Sequence, residues 1–292
     1  RAKLWSKKRE FYPHVLVMTA TPIPRTLALT LYGDLDVSVI DELPSGRKEI
    51  ITSHRFDNSR LKVFNFIKKT IDFGGQVYVV YPLIEESAKK DHKDLMDGYK
   101  SLTKYFPETQ IGVLHGRMKS ENKEYEMKRF AEGKSKILVS TTVIEVGVDV
   151  ANASVIIIES AERFGLSQLH QLRGRVGRGS AQSYCILMTK YDLSNDSKER
   201  IKAMVGSSDG FKIANVDLKM RGPGNMMGTK QSGLLELRFV NLAEDYNIIK
   251  QTRVVASKLI ENDPNLSDKK NKGTKEYLKK SIKSNINWSR VS

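Results

Sequence analysis

From about residue 47 onward, short runs of β-branched and aliphatic residues alternate with longer stretches in which apolar side chains return every third or fourth position. The runs at 50–53, 76–81, 111–114, 136–140, 155–158 and 184–188 predict strands, and 59–72, 87–105 and 120–131 predict helices. In the strands apolar residues follow one another directly, so both faces of the sheet must be covered. The predicted fold is therefore α/β, a doubly wound parallel sheet with helices on both faces, spanning 46–205. Upstream, the apolar run 15–18 predicts a strand leading through prolines into a helix, and 37–40 predicts a short strand. Residues 43–47 read as a linker, which makes 1–45 a separate piece. After 205 the texture changes to glycine-rich turns at 217–224 and 228–233. Phe239, Leu242, Tyr246, Ile249, Ala256 and Ile260 have helical spacing and predict an amphipathic helix packed on the domain, within a third segment 206–292. The lysine-rich tail after Asp268 has the composition of a segment that is disordered alone or lies on nucleic acid or a neighbouring domain.

Composition narrows the partners. With 39% hydrophobic and 28% charged residues the chain can bury a real core, and no apolar run is long enough to span a bilayer. A net charge of +15 points to a polyanion, nucleic acid before a membrane surface. The single cysteine, Cys185, lies in an apolar run and is expected to be a buried strand residue; it excludes an internal disulfide and fits a reducing cytoplasm. His14, His54, His92, His115 and His170 are scattered, so no metal site is expected. No Gly-x-x-x-x-Gly-Lys-Ser/Thr phosphate loop occurs, and the opening Arg-Ala-Lys-Leu-Trp reads like the interior of a domain. The expectation is a piece of a longer protein.

The sharpest chemistry lies at 168–179, Gln-Leu-His-Gln-Leu-Arg-Gly-Arg-Val-Gly-Arg-Gly. If this stretch is one helix, Gln171, Arg175 and Arg178 fall at i, i+4 and i+7 on a single face. Two guanidiniums pointing the same way suggest a polyphosphate site. Interior glycines cost a helix about 1 kcal/mol each, so a nucleotide or a packed neighbouring domain is expected against them. The plainer alternative is a basic, glycine-rich loop that coats nucleic acid. Three further loops follow strands: His115-Gly116-Arg117, the hydroxyls Thr141 and Thr142, and Gly147-Val148-Asp149. Each is read alone as ordinary turn chemistry; together, in one parallel sheet, they are expected to converge with the arginine helix on one edge.

These motifs, with Met18-Thr19-Ala20-Thr21-Pro22-Ile23-Pro24-Arg25-Thr26 before them, resemble in order and spacing those of superfamily 2 helicases. The Met-Thr-Ala-Thr-Pro-Ile-Pro-Arg-Thr run and residues 200–231 are similar to the branch holding the RecG family and the transcription-repair coupling factors. Arg-Gly-Pro-Gly followed by Gly-Thr-Lys-Gln-Ser-Gly favours the RecG family, and the resemblance extends to about residue 266. It implies a RecA-like lobe two over 46–205, the end of lobe one over 1–45, and a translocation hairpin with a helical extension and basic tail over 206–292. It implies that Arg175 and Arg178, exposed at the lobe interface, reach the ATP γ-phosphate, Arg178 as the arginine finger. Gln171 would orient its helix or the nucleotide, Gly147 and Asp149 would line the nucleotide cleft, and Thr19 and Thr21 would couple nucleotide state to lobe movement. His115, Arg117, Thr141 and Thr142 would make contacts to the DNA backbone or between motifs, and Arg200, Arg221 and Gln231 would belong to translocation. The implied parent is a monomeric bacterial, cytoplasmic, nucleoid-associated ATP-dependent double-stranded DNA translocase acting with Mg2+ on forks and Holliday junctions. Its phosphate loop, its magnesium motif and a wedge domain would lie upstream, so this chain alone is expected to lack ATPase activity. Two alternatives stay open: a basic DNA-binding or docking module, and a coupling-factor translocase.

Overall fold

The computed structural model describes residues 16, 18, 38–40, 42, 46–82, 88–141, 150–221 and 245–285. They fall in two compact units, one built on 40–221 and the other on 245–285.

The first unit is a six-stranded sheet in which every neighbouring pair is parallel. Its strands are β1 (Ile51–Phe56), β2 (Gln76–Tyr81), β3 (Ile111–Leu114), β4 (Ile137–Thr141), β5 (Ala153–Ile158) and β6 (Tyr184–Thr189), in the order β1-β6-β5-β2-β4-β3. The helices are α1 (Arg60–Asp72), α2 (Ala88–Tyr105), α3 (Ser120–Ala131), α4 (Leu166–Arg173), α5 (Asn195–Gly206) and α6 (Gly210–Arg221). Side chains alternate between the two faces of the sheet, and so does the core. Val77, Val79, Ile137, Val139, Val155 and Ile157 pack with Val63, Phe64 and Ile67 of α1 and Leu95 and Leu102 of α2. Tyr78, Val80, Leu138, Ile156, Ile158 and Leu187 pack on the other face with α3 through Phe130, α4 through Leu169 and Leu172, and α5 through Ile201 and Met204. β2 and β4 are buried along their whole length, as central strands covered on both faces must be, with Gln76, Ser140 and Thr141 buried beside their apolar residues.

The doubly wound sheet is as predicted. Cys185 lies fully buried in β6, and burial pushes its thiol up to about 12. Packing carries the compact unit past 205, because Ile213 of α6 is buried in the sheet's own core. One reading needs correction. Leu16, Met18 and Val39 are exposed and lie outside any strand. The rest of the predicted 15–18 and 37–40 strands, and the helix after the first, lie outside the described residues.

The second unit contributes α7 (Tyr246–Asn262) and α8 (Lys272–Asn285). Phe239 and Leu242 of the predicted amphipathic helix lie outside the described residues, and Ile260 is exposed. The junction is fixed by Asp263, whose carboxylate accepts from the Ser267 and Asp268 N–H groups at 2.8 and 3.0 Å and from the Asn271 amide at 2.8 Å. Those bonds hold its carboxyl below the usual carboxylate range. Within the tail after Asp268, for which disorder was one reading, residues Lys272–Asn285 form a helix led in by this anchored turn.

Candidate functional site

α4 starts where the Gln168 side chain reaches back to accept the Gly165 N–H at 3.0 Å, and it buries Leu166, Leu169 and Leu172. It is shorter than expected and ends at Arg173. The Gly174 N–H bonds back to the His170 carbonyl at 3.1 Å, and the Arg175 N–H to the Leu172 carbonyl at 3.0 Å, tightening the last turn. Gly177 then takes φ +80, in the left-handed region that a side chain disfavours. Of the three side chains expected on one helical face, only Gln171 is on the helix; Arg175 and Arg178 stand on the turn beyond it. Gln171 and Arg178 are exposed, whereas Arg175 is half-buried.

The turn is pinned to the body of its own unit. Val176 is fully buried, and Arg47 donates from Nε to the Gly177 carbonyl at 2.8 Å. A Cβ on Gly177 would stand 3.0 Å from Ile50 Cγ1, and one on Gly179 would stand 2.5 Å from the Ala151 carbonyl oxygen. These two glycines are required by close approach within this unit, and clearance for a neighbouring domain is not needed to explain them.

The expected convergence on one edge is also corrected. Ile50 immediately precedes β1, and Ala151 lies two residues before β5. The arginine turn therefore sits at the edge where the strands begin, because α4 runs back against the strand direction. His115 follows β3 and Thr141 ends β4, on neighbouring strands at the opposite edge. A six-residue strand separates the two edges by about 20 Å. At the second edge, residues 115–118 form a tight turn with the Met118 N–H on the His115 carbonyl at 3.1 Å. Arg117 is exposed, His115 half-buried and Thr141 buried, and the hydroxyls of Ser140 and Thr141 have no hydrogen-bond partner among the described residues. Arg200 of α5 donates to the Phe164 and Glu162 carbonyls at 2.9 and 3.1 Å, holding the turn after β5. Thr19, Thr21, Thr142, Gly147, Asp149 and Gln231 lie outside the described residues. Arg221 ends α6, and the structure describes no more of it.

Two arrangements escaped the sequence reading. Arg173, at 3% exposure, donates to the carbonyls of Met204, Ser207 and Ser208 at 3.1, 2.7 and 3.0 Å and to His170 Nδ1 at 3.1 Å. It joins the last residue of α4 to the C-terminal end of α5, where backbone carbonyls attract a cation. The signal was available: two residues from both Gln171 and Arg175, Arg173 falls on the opposite, inward face. Burial, with Arg173 beside it, pulls His170 down to about 4. The second arrangement is the fork of Arg60 on Glu159, at 2.6 and 2.9 Å. It lines a cleft of about 800 Å³ at the ends of β2 and β5. The bond and charge of Glu159 raise the Arg60 pKa, and burial raises that of Tyr81. The charges in this cleft are largely paired with one another, Arg60 also with Asp57 and Arg163 with Asp94. A carboxylate ending a fully apolar strand run was the clue. Among the described residues no group of three or more His, Cys, Asp or Glu is placed to hold a metal ion, and no helix is long and apolar enough to cross a membrane.

The doubly wound parallel sheet is RecA-like, and residues 61–180 match the helicase conserved C-terminal domain. Residues 207–292 match the C-terminal part of domain 3 of the ATP-dependent DNA helicase RecG. Together these matches place the chain in the RecG family of superfamily 2 helicases. RecG of Synechocystis is 55% identical over 267 residues, covering 91% of this chain and 32% of that protein. RecG of Aquifex aeolicus is 48% identical over 273 residues, covering 92% and 34%. The chain thus spans about a third of the length of these relatives. A solved structure of RecG bound to a three-way DNA junction is 44% identical with a TM-score of 0.64, covering 82% of this chain and 32% of that one.

Proposed function

We propose that this chain supplies lobe two and the adjoining C-terminal segment of a bacterial, cytoplasmic, ATP-dependent translocase that acts on branched double-stranded DNA, including forks and Holliday junctions. The observation that carries the reading is the fixed arginine turn at one edge of the sheet, with an exposed arginine and buried hydroxyls at the other. Motors that convert nucleotide turnover into movement on DNA need two such faces. Arg175 and Arg178 are assigned to the ATP phosphates, where a positioned cation is worth about 10³–10⁵ in rate. Gln171, Gly147 and Asp149 are assigned to the same nucleotide face, and Thr19 and Thr21 to coupling. His115, Arg117, Thr141 and Thr142 are assigned to contacts with the DNA backbone or between motifs, and Arg200, Arg221 and Gln231 to translocation. The division into 1–45, 46–205 and 206–292 is kept as the functional one, although packing carries the sheet unit to Arg221.

The sequence holds no phosphate-loop pattern, so the nucleotide's phosphates and Mg2+ would be gripped mainly by another part of the whole protein, and the 292-residue chain alone is expected to turn over negligible ATP. The relative bound to a three-way junction supports branched DNA as substrate. The test is Arg178→Ala in the full-length protein. Junction binding is expected within about threefold of wild type and DNA-stimulated ATP turnover to fall at least about 10³-fold. Retained turnover would refute the assignment.

A further inference from the structure

The turn carrying Arg175 and Arg178 has a third arginine beside it, brought from a segment 130 residues earlier in the chain. Gly46, at φ +81, turns the chain just ahead of Arg47. Arg47 donates Nε to the Gly177 carbonyl at 2.8 Å, between the two other arginines. That single bond uses one of five guanidinium N–H groups. The Nη1 and Nη2 groups of Arg47 have no hydrogen-bond partner among the described residues, and no described carboxylate pairs with Arg47. Glu49, the nearest acidic residue in the segment, instead accepts the Ser208 hydroxyl at 2.6 Å.

We infer that Arg47 is a further nucleotide-binding residue, which uses its two terminal nitrogens on a phosphate while Nε holds the arginine turn. The inference rests on the reading of that turn as the nucleotide face. The chemistry follows from the shape of guanidinium: with Nε anchored on a carbonyl, the Nη1/Nη2 end remains a planar fork that matches two phosphate oxygens. Lysine at this position could meet the carbonyl or the phosphate, but could not present a fork to one while bonded to the other.

The test uses the full-length protein, with DNA-stimulated ATP turnover measured over a range of ATP concentrations. Losing a hydrogen bond to a charged phosphate is expected to raise KM for ATP about tenfold or more in Arg47→Gln. Junction affinity should stay within about threefold, and Arg47→Lys should recover only part of the loss. A variant that merely folds less well loses active protein, which lowers apparent kcat and leaves KM alone. That outcome would overturn the inference, as would unchanged kinetics in Arg47→Gln. Running Arg178→Ala beside it separates the two claims. If Arg178→Ala abolishes turnover and Arg47→Gln leaves KM unchanged, Arg47 is excluded and the nucleotide face stands. If Arg178→Ala turns over normally, the nucleotide face falls and Arg47 with it.

Discussion

Replacing Arg173 with methionine tests whether a buried guanidinium ties the arginine turn to the rest of its unit. Methionine roughly keeps the volume of the stem and removes every donor. Four good acceptors lose their partner: the carbonyls of Met204, Ser207 and Ser208 and the Nδ1 of His170. The Thr52 hydroxyl, at 3.4 Å, is a weaker fifth. The Met204 bond is buried, so its carbonyl is expected to lose the full cost of an unsatisfied group, about 1–3 kcal/mol. The Ser207 and Ser208 carbonyls are only part-buried, so water can replace part of what they lose. Removing the desolvation cost of the guanidinium offsets part of the total. The net expectation is about 3 kcal/mol, or roughly 6–12 °C in Tm for a unit of this size. Denaturant unfolding of the 292-residue chain should show a lower midpoint with an unchanged slope, and amide exchange should speed up first in α4 and at the end of α5. A Tm shift below about 2 °C would refute the account of Arg173, because it would correspond to no more than about 0.5–1 kcal/mol.

His170 should make the same region acid-sensitive. Its native pKa, about 4, lies below the ordinary 6.5, so the unfolded chain binds the proton first as pH falls. The contribution of His170 is then complete above about 6.5 and is lost as pH drops through the window down to about 4. An NMR titration of His170 centred near 6.5 would contradict this. In Arg173→Met the titration should move upward, since a neighbouring positive charge has gone. Gly179→Ala places a Cβ 2.5 Å from a backbone oxygen and is expected to destabilise by about 1–3 kcal/mol. Gly206→Ala, which meets nothing within 4 Å, is the control and should be near neutral. Equal midpoints for the two variants would show that the close approach at Ala151 carries no weight.

Much of the sheet could be read from sequence because strands buried on both faces have a one-dimensional signature: 77–81 and 155–158 are unbroken runs of aliphatic and aromatic residues. The arginine turn was misread as geometry. Helical spacing placed Gln171, Arg175 and Arg178 on one face, but two glycines end that regularity. Gly174 closes the helix, and the φ of Gly177 cannot be inferred from composition. Edge placement failed for a related reason. Which end of the sheet a loop reaches depends on whether the preceding element runs with or against the strands, and α4 runs against them. Arg173 and the Arg60–Glu159 fork are long-range pairings, with partners 31 to 35 and 99 residues away. Spacing rules along one element cannot reveal them. Arg47 was legible only as part of a linker.

The central claim is that nucleotide and DNA meet opposite edges of one sheet, about 20 Å apart. Photo-crosslinking of the full-length protein tests it most directly, using a photoreactive ATP analogue in one reaction and a photoreactive three-way junction in another, with labelled peptides mapped by mass spectrometry. ATP label is expected on peptides spanning 174–179 and DNA label on peptides spanning 115–118. Nucleotide label at 115–118, or both labels on the same edge, would contradict the account.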